Sequence, residues 1–229
     1  MKLKPHLSVL ILITVIVLSL GCVSEPDENN NQTPTNGNDT NQTEFKPPTG
    51  NISTEDRENM VQANNEFAIQ LYQELNNNSE NLFISPWSIS TALKITYEGA
   101  REKTAEEMRK TLNLPQNRTK IKENYYLNHK EINQIKDYEM IEANAFWYQK
   151  TYPFSKNYTS KIENYYNGKI APLNFIEETE KSKETINNWV SNKTNEKIPE
   201  LLKTLSPSTR AVITNAIYFK AIWKHPFNS

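Results

Sequence analysis

Three histidines, one cysteine and scattered carboxylates are the residues of this 229-residue chain that could do chemistry. Their spacing excludes most of it. His6, His129 and His225 lie far apart, with no nucleophile or second ligand at a useful distance in sequence. There is no G-x-S-x-G elbow and no H-E-x-x-H helix. Beyond residue 58 only Gly99 and Gly168 occur, so no glycine-rich loop can wrap a phosphate. No Cys/His cluster has metal-ligand spacing. The acidic pairs Glu106-Glu107 and Glu177-Glu178 are adjacent in sequence and read as solvated helix charge. The expectation is a protein that is not an enzyme, with no metal and no cofactor.

Cys22 is the one residue whose context suggests covalent chemistry. Lys2 and Lys4 open the chain, and an uncharged, mostly apolar run covers 7–20. A spanning helix needs about 20 apolar residues, so the run suits the h-region of an export signal. Gly21-Cys22 follows it directly and resembles a lipoprotein box, in which the cysteine is lipidated. Ser19 stands where that box has leucine, with Leu18 one place early. Residues 1–21 are expected to be a signal peptide, and Cys22 the lipid attachment that holds an exported protein to a membrane. A single cysteine cannot form an intrachain disulfide. Stability must then come from core burial.

The next segment, 22–58, is dominated by Asn, Thr, Gln, Pro, Asp and Glu. It buries too little to offset an ordering entropy of roughly 1–2 kcal/mol per residue. It reads as a disordered tether with an average span of about 33 Å. Net charge is −1, from 26 basic and 27 acidic residues, and gives no reason to expect a nucleic-acid partner.

Residues 59–229 read as the globular part. Met60, Ala63, Phe67, Leu71 and Leu75 recur at helical spacing. Leu82-Phe83-Ile84 is a short apolar run, read as a strand. Ser85 can cap a second helix with Pro86 in its first turn, and Gly99 is placed as its stop. Thr104 to Glu107 has capping-box spacing and is expected to open a third helix, with Pro115 beyond its end. A fourth helix is expected near 119–132 and a strand over 138–148. Ser155 can cap a fifth helix, broken at Gly168 before a strand over 170–175. A sixth helix is expected over 178–193 and a helical turn over 198–205. The strand over 210–220 is apolar on both faces, as a covered central strand should be.

Five stretches then carry a resemblance. N-L-F-I-S-P-W-S-I at 81–89, G-A-R-E-K-T-A-E-E-M at 99–108, A-N-A-F-W at 143–147, I-N-N-W-V-S-N-K-T at 186–194 and V-I-T-N-A-I-Y-F-K-A-I-W-K-H-P-F at 212–227 resemble, in order, motifs of the serpin family. Two glycines of the family pattern are replaced, by Glu196 and by Ala221. The resemblance implies an α+β fold, with helices packed on part of a mixed central sheet. It implies that 59–229 is the N-terminal half of a serpin domain, the reactive-centre loop being absent from this chain.

It also implies a mechanism. A serpin sheet opens to admit its cleaved loop as a new strand and drags the acylated serine or cysteine protease with it. Ser85, Ser88 and Asn215 map onto the shutter, where the sheet parts, and Trp223 onto the breach, where insertion begins. This chain alone is expected to be inactive as an inhibitor. Three alternatives accompany that reading: a non-inhibitory surface scaffold, a disrupted gene, and a polyanion site using Arg118, Lys120 and Lys122. Finally, the edge of the strand over 210–220 is expected to be apolar and unpaired.

Overall fold

The computed structural model describes residues 7–19, 45–48, 52–76, 81–223 and 225, with the backbone alone for 7–19. Cys22 and most of the expected tether lie outside the described residues. Six helices and four strands follow the order β1 (Leu7–Ser19), α1 (Thr54–Leu75), α2 (Pro86–Gly99), α3 (Glu102–Thr111), α4 (Arg118–Ile132), β2 (Tyr138–Gln149), α5 (Lys156–Tyr166), β3 (Gly168–Leu173), α6 (Thr179–Lys193) and β4 (Thr209–Ile222).

One mixed sheet organises the described residues, in the order β1-β4-β2-β3. β2 runs parallel to β3 and antiparallel to β4, with Asn144 opposite Asn215. Side chains alternate across such a sheet, so each strand feeds two cores. Phe146, Ala211 and Ile213 face one layer with Ile95, Tyr125, Ile162 and Tyr166. Ala145, Trp147 and Val212 face the other with Phe175, Ile186 and Leu202. Burying one large apolar side chain contributes roughly 1.5–3 kcal/mol. A third cluster joins α1 to the following helices through Met60, Phe67, Tyr97, Leu112, Leu114 and Ile121.

Several expectations change. The edge of β4 is paired: β1, the run expected to be an export h-region, lies antiparallel along it from Leu7–Ile222 to Ser19–Thr209. The first helix begins at Thr54, inside the expected tether, because Ser53 caps it by accepting from the Asp56 amide at 3.0 Å. Phe45 also lies against the Tyr165 ring, with centroids 5.2 Å apart. Leu82-Phe83-Ile84 belongs to no helix or strand and has no ladder partner among the described residues, and Phe83 is exposed.

Gly99 belongs to α2, and the cap after it, Ala100, has an ordinary φ of −67°. α3 starts at Glu102, so Thr104 lies inside the helix and the expected capping box does not form. Residues 198–205 form bends and not a helical turn. There the Asn187 amide replaces helical hydrogen bonds. It accepts from the Leu201 and Leu202 amides at 3.1 and 2.8 Å and donates to the Leu202 carbonyl at 2.9 Å.

Candidate functional site

A buried polar network fastens α2 and α4 to the centre of the sheet. It starts at the N-terminus of α2. Pro86 fixes the first turn, and Ser85 caps it by accepting from the Ser88 amide at 3.2 Å. That cap orients Ser88, whose hydroxyl donates to Asn215 Oδ1 on β4. Ser88 and Asn215 are both fully buried although 127 residues separate them. Asn215 Nδ2 donates to Asn144 Oδ1 at 2.6 Å and to Glu142 Oε1 at 3.4 Å. Asn144 in turn donates to the Tyr125 hydroxyl at 3.0 Å and the Tyr166 carbonyl at 2.9 Å.

Glu142 is the anion at the centre, its side chain 2 % exposed. Its carboxylate accepts from the Tyr125 hydroxyl at 2.8 Å and from Trp87 Nε1 at 3.1 Å. His129 Nε2 lies 3.9 Å away. Buried charge persists only where donors replace its water. Here they come from α2, α4 and β4, so one carboxylate ties three elements. Burial first, and then the Glu142 charge, push the Tyr125 hydroxyl well above the usual tyrosine range. Lys94, buried on α2, is pulled down to about 8 by desolvation, which the charge of Glu142 opposes. Its ammonium donates to Asn64 Oδ1 at 2.7 Å. Glu142 and Asn144 also line a cavity of about 350 Å³, shared with Glu163, Lys169, Trp189 and Lys193.

Sequence reasoning selected Ser85, Ser88 and Asn215, and the structure brings all three together. It missed Glu142, Asn144, Tyr125 and Trp87. The available signal was parity: Glu142 and Asn144 alternate in step with Phe146, so all three share the core face of β2. Trp223 lies just past the end of β4 and is half-exposed, apart from this network. The three basic residues of the polyanion alternative each have a contact within the protein. Arg118 stacks over Tyr97 at 4.1 Å and donates to the Ala100 carbonyl, Lys120 lies 3.6 Å from Asp56, and Lys122 sits over Tyr165 at 4.8 Å. Among the described residues no cluster of three His, Cys, Asp or Glu side chains could hold a metal.

The family model for serpins, serine protease inhibitors, matches residues 62–229. The chain belongs to the serpin family. A serpin-like protein of Methanosarcina mazei is 38% identical over 176 residues, covering 74% of this chain and 41% of its own length. One from Thermococcus kodakarensis is 34% identical over 230 residues, covering 99% and 54%. The leukocyte elastase inhibitor of Xenopus laevis is 37% identical over 178 residues, covering 75% and 47%. The chain therefore spans about half the length of the curated serpins it matches.

Solved structures agree. Emu ovalbumin superposes with a TM-score of 0.69 at 27% identity, covering 74% of this chain and 49% of its own. Tengpin, a thermophilic serpin in the latent state, gives 0.68 at 28%, covering 78% and 47%. The α+β architecture is thus that of part of a serpin. The two replaced glycines separate on backbone grounds. Ala221 lies in β4 and has no positive φ, so alanine costs little there. Glu196 has φ 60°, which glycine adopts freely and other residues do not.

Proposed function

We propose that this chain is the N-terminal part of an exported, membrane-tethered serpin that traps serine or cysteine proteases. In this reading the leader 1–21 directs export and Cys22 carries the lipid. The segment that follows holds the domain off the membrane. A protease attacks a loop supplied by the rest of the intact protein. Its nucleophile forms an acyl bond to the loop carbonyl as the peptide amine leaves. The cleaved loop then enters the sheet beside β4, and the distorted protease cannot hydrolyse the ester or thioester.

The observation that carries the reading is the Ser88–Asn215–Asn144–Glu142 network. β4 is fastened from below by side-chain hydrogen bonds, which can change partners as strands move. Apolar interdigitation offers no such exchange. Ser85, Ser88 and Asn215 act as the shutter, joined here by Glu142 and Asn144, and Trp223 marks the breach. The name of the Xenopus relative supports an inhibitory activity in the intact protein.

The test is to express the open reading frame with whatever follows codon 229 and incubate it with a panel of serine and cysteine proteases. An adduct that survives SDS is the expected result. Residues 45–229 alone should give none. Cleavage of the intact protein without an adduct would overturn inhibition and leave a non-inhibitory tethered scaffold. Mass spectrometry of the mature protein checks the tether: a lipid-bearing N-terminus at Cys22 is expected, and an unmodified Cys22 removes the membrane partner.

A further inference from the structure

The pairing of β1 with β4 joins the two ends of the described chain. The β1 ladder covers β4 from Thr209 to Ile222, while that of β2 covers Ala211 to Ala221 on the other side. β4 is therefore shielded along nearly all of both edges. It needs that cover. Its buried stretch, Ala211 to Tyr218, carries no charge and no proline, the usual guards of a free edge. The covering segment suits the task. Seven of its thirteen residues are Val, Ile or Thr, which favour strands, and it contains no proline or charge to interrupt a ladder. The composition that reads as an export h-region also makes a complementary strand.

We propose that residues 7–19 are an intramolecular strap that closes the β4 edge against any other strand until the segment is withdrawn. The strap rests on the reading that the intact protein admits its loop beside β4, and it adds regulation to that site. While the leader remains in place, the edge is occupied and neither a loop nor a second copy can pair there. Withdrawal of the leader during export opens the edge where a protease can be met.

Cross-linking tests the register directly. The full chain carrying Cys22→Ser provides the background. In it, Ser8→Cys with Ala221→Cys places two thiols at directly opposed positions, within disulfide reach. Mild oxidation should give an intramolecular cross-link, seen as faster migration on a non-reducing gel. Leu18→Cys with Ala221→Cys should give none, since Leu18 pairs with Ala211. Equal cross-linking of both pairs, or of neither, overturns the strap.

Amide exchange tests removability. In the full chain, β4 amides facing β1 should be protected. Ile11→Pro with Val15→Pro should speed their exchange by about tenfold or more and leave the alternate amides, facing β2, unchanged. Fast exchange of the first set in the unmodified chain, or collapse of both sets together, would refute a removable strap. Neither experiment involves a protease, so a failed strap leaves the inhibitory reading intact, and a missing adduct leaves the strap intact.

Discussion

Glu142 gathers three side-chain donors on one buried carboxylate. Glu142→Ala would strand the Trp87 indole, the Tyr125 hydroxyl and one Asn215 donor without an acceptor. The expected cost is about 3 kcal/mol or more, since each buried orphan costs roughly 1–3 kcal/mol. Glu142→Gln keeps the shape and an acceptor oxygen and should cost less than half as much. Urea unfolding of the pair measures the difference. Lys94 gives a pH signature. Its folded pKa, about 8, lies below the ordinary lysine value of 10.5, so the unfolded chain holds the extra proton between them. Stability should rise with pH across that window, by an amount on the order of 3 kcal/mol. Lys94→Met should flatten this slope in denaturation curves taken at pH 8 and pH 10. Glu196 is a third case: Glu196→Gly should raise stability by about 1 kcal/mol by relieving its φ of 60°.

At the scale of elements, Gly168 shows how a break differs from a stop. Asn167, with φ 48°, turns the chain at the end of α5, and Gly168 opens β3. A Cβ at Gly168 would lie 2.5 Å from Ile162 Cγ2, so Gly168→Ala should loosen the α5–β3 junction. An overpacked site of this kind costs roughly 1–3 kcal/mol, measurable as a lowered urea midpoint. Periodicity made α1 legible, because Met60, Ala63 and Phe67 turn one buried face to the following helices. Helix ends were less legible, since they depend on single contacts. Arg101 shows this: its carbonyl accepts the first α3 bond from the Ala105 amide at 3.1 Å, three residues before the sequence signal at Thr104. Leu82-Phe83-Ile84 looked like a strand because apolar runs often are, but a strand exists only when a neighbour completes its ladder. The site was legible at Ser88 and Asn215 through the family motifs. Glu142 was not, because a charged residue in a strand is ordinarily turned to water and only the tertiary donors make its burial tolerable.

For the whole molecule, the edge of β4 decides behaviour in solution. With β1 in place β4 has no bare edge, and β1 becomes the terminal strand of the sheet on that side. A form beginning at Cys22 loses the cover and should self-associate through β4 in a concentration-dependent way, and Ala211→Lys in that form should reduce the association. Sedimentation velocity of the two forms in the same buffer checks this. Equal, monomeric behaviour would show that β4 needs no partner.

The pairing of residues 7–19 with 209–222 also sets a clock. A ribosome releases residues 7–19 long before it has made β4. At about 5–20 residues per second, the interval is roughly ten to forty seconds. During that time residues 7–19 have no β4 to pair with. Once β4 emerges, the strap can form. On the proposed export reading, a chain engaged by the membrane before that point never forms the strap, and one engaged later must first withdraw it. Slower elongation should raise the exported fraction, which pulse labelling would read.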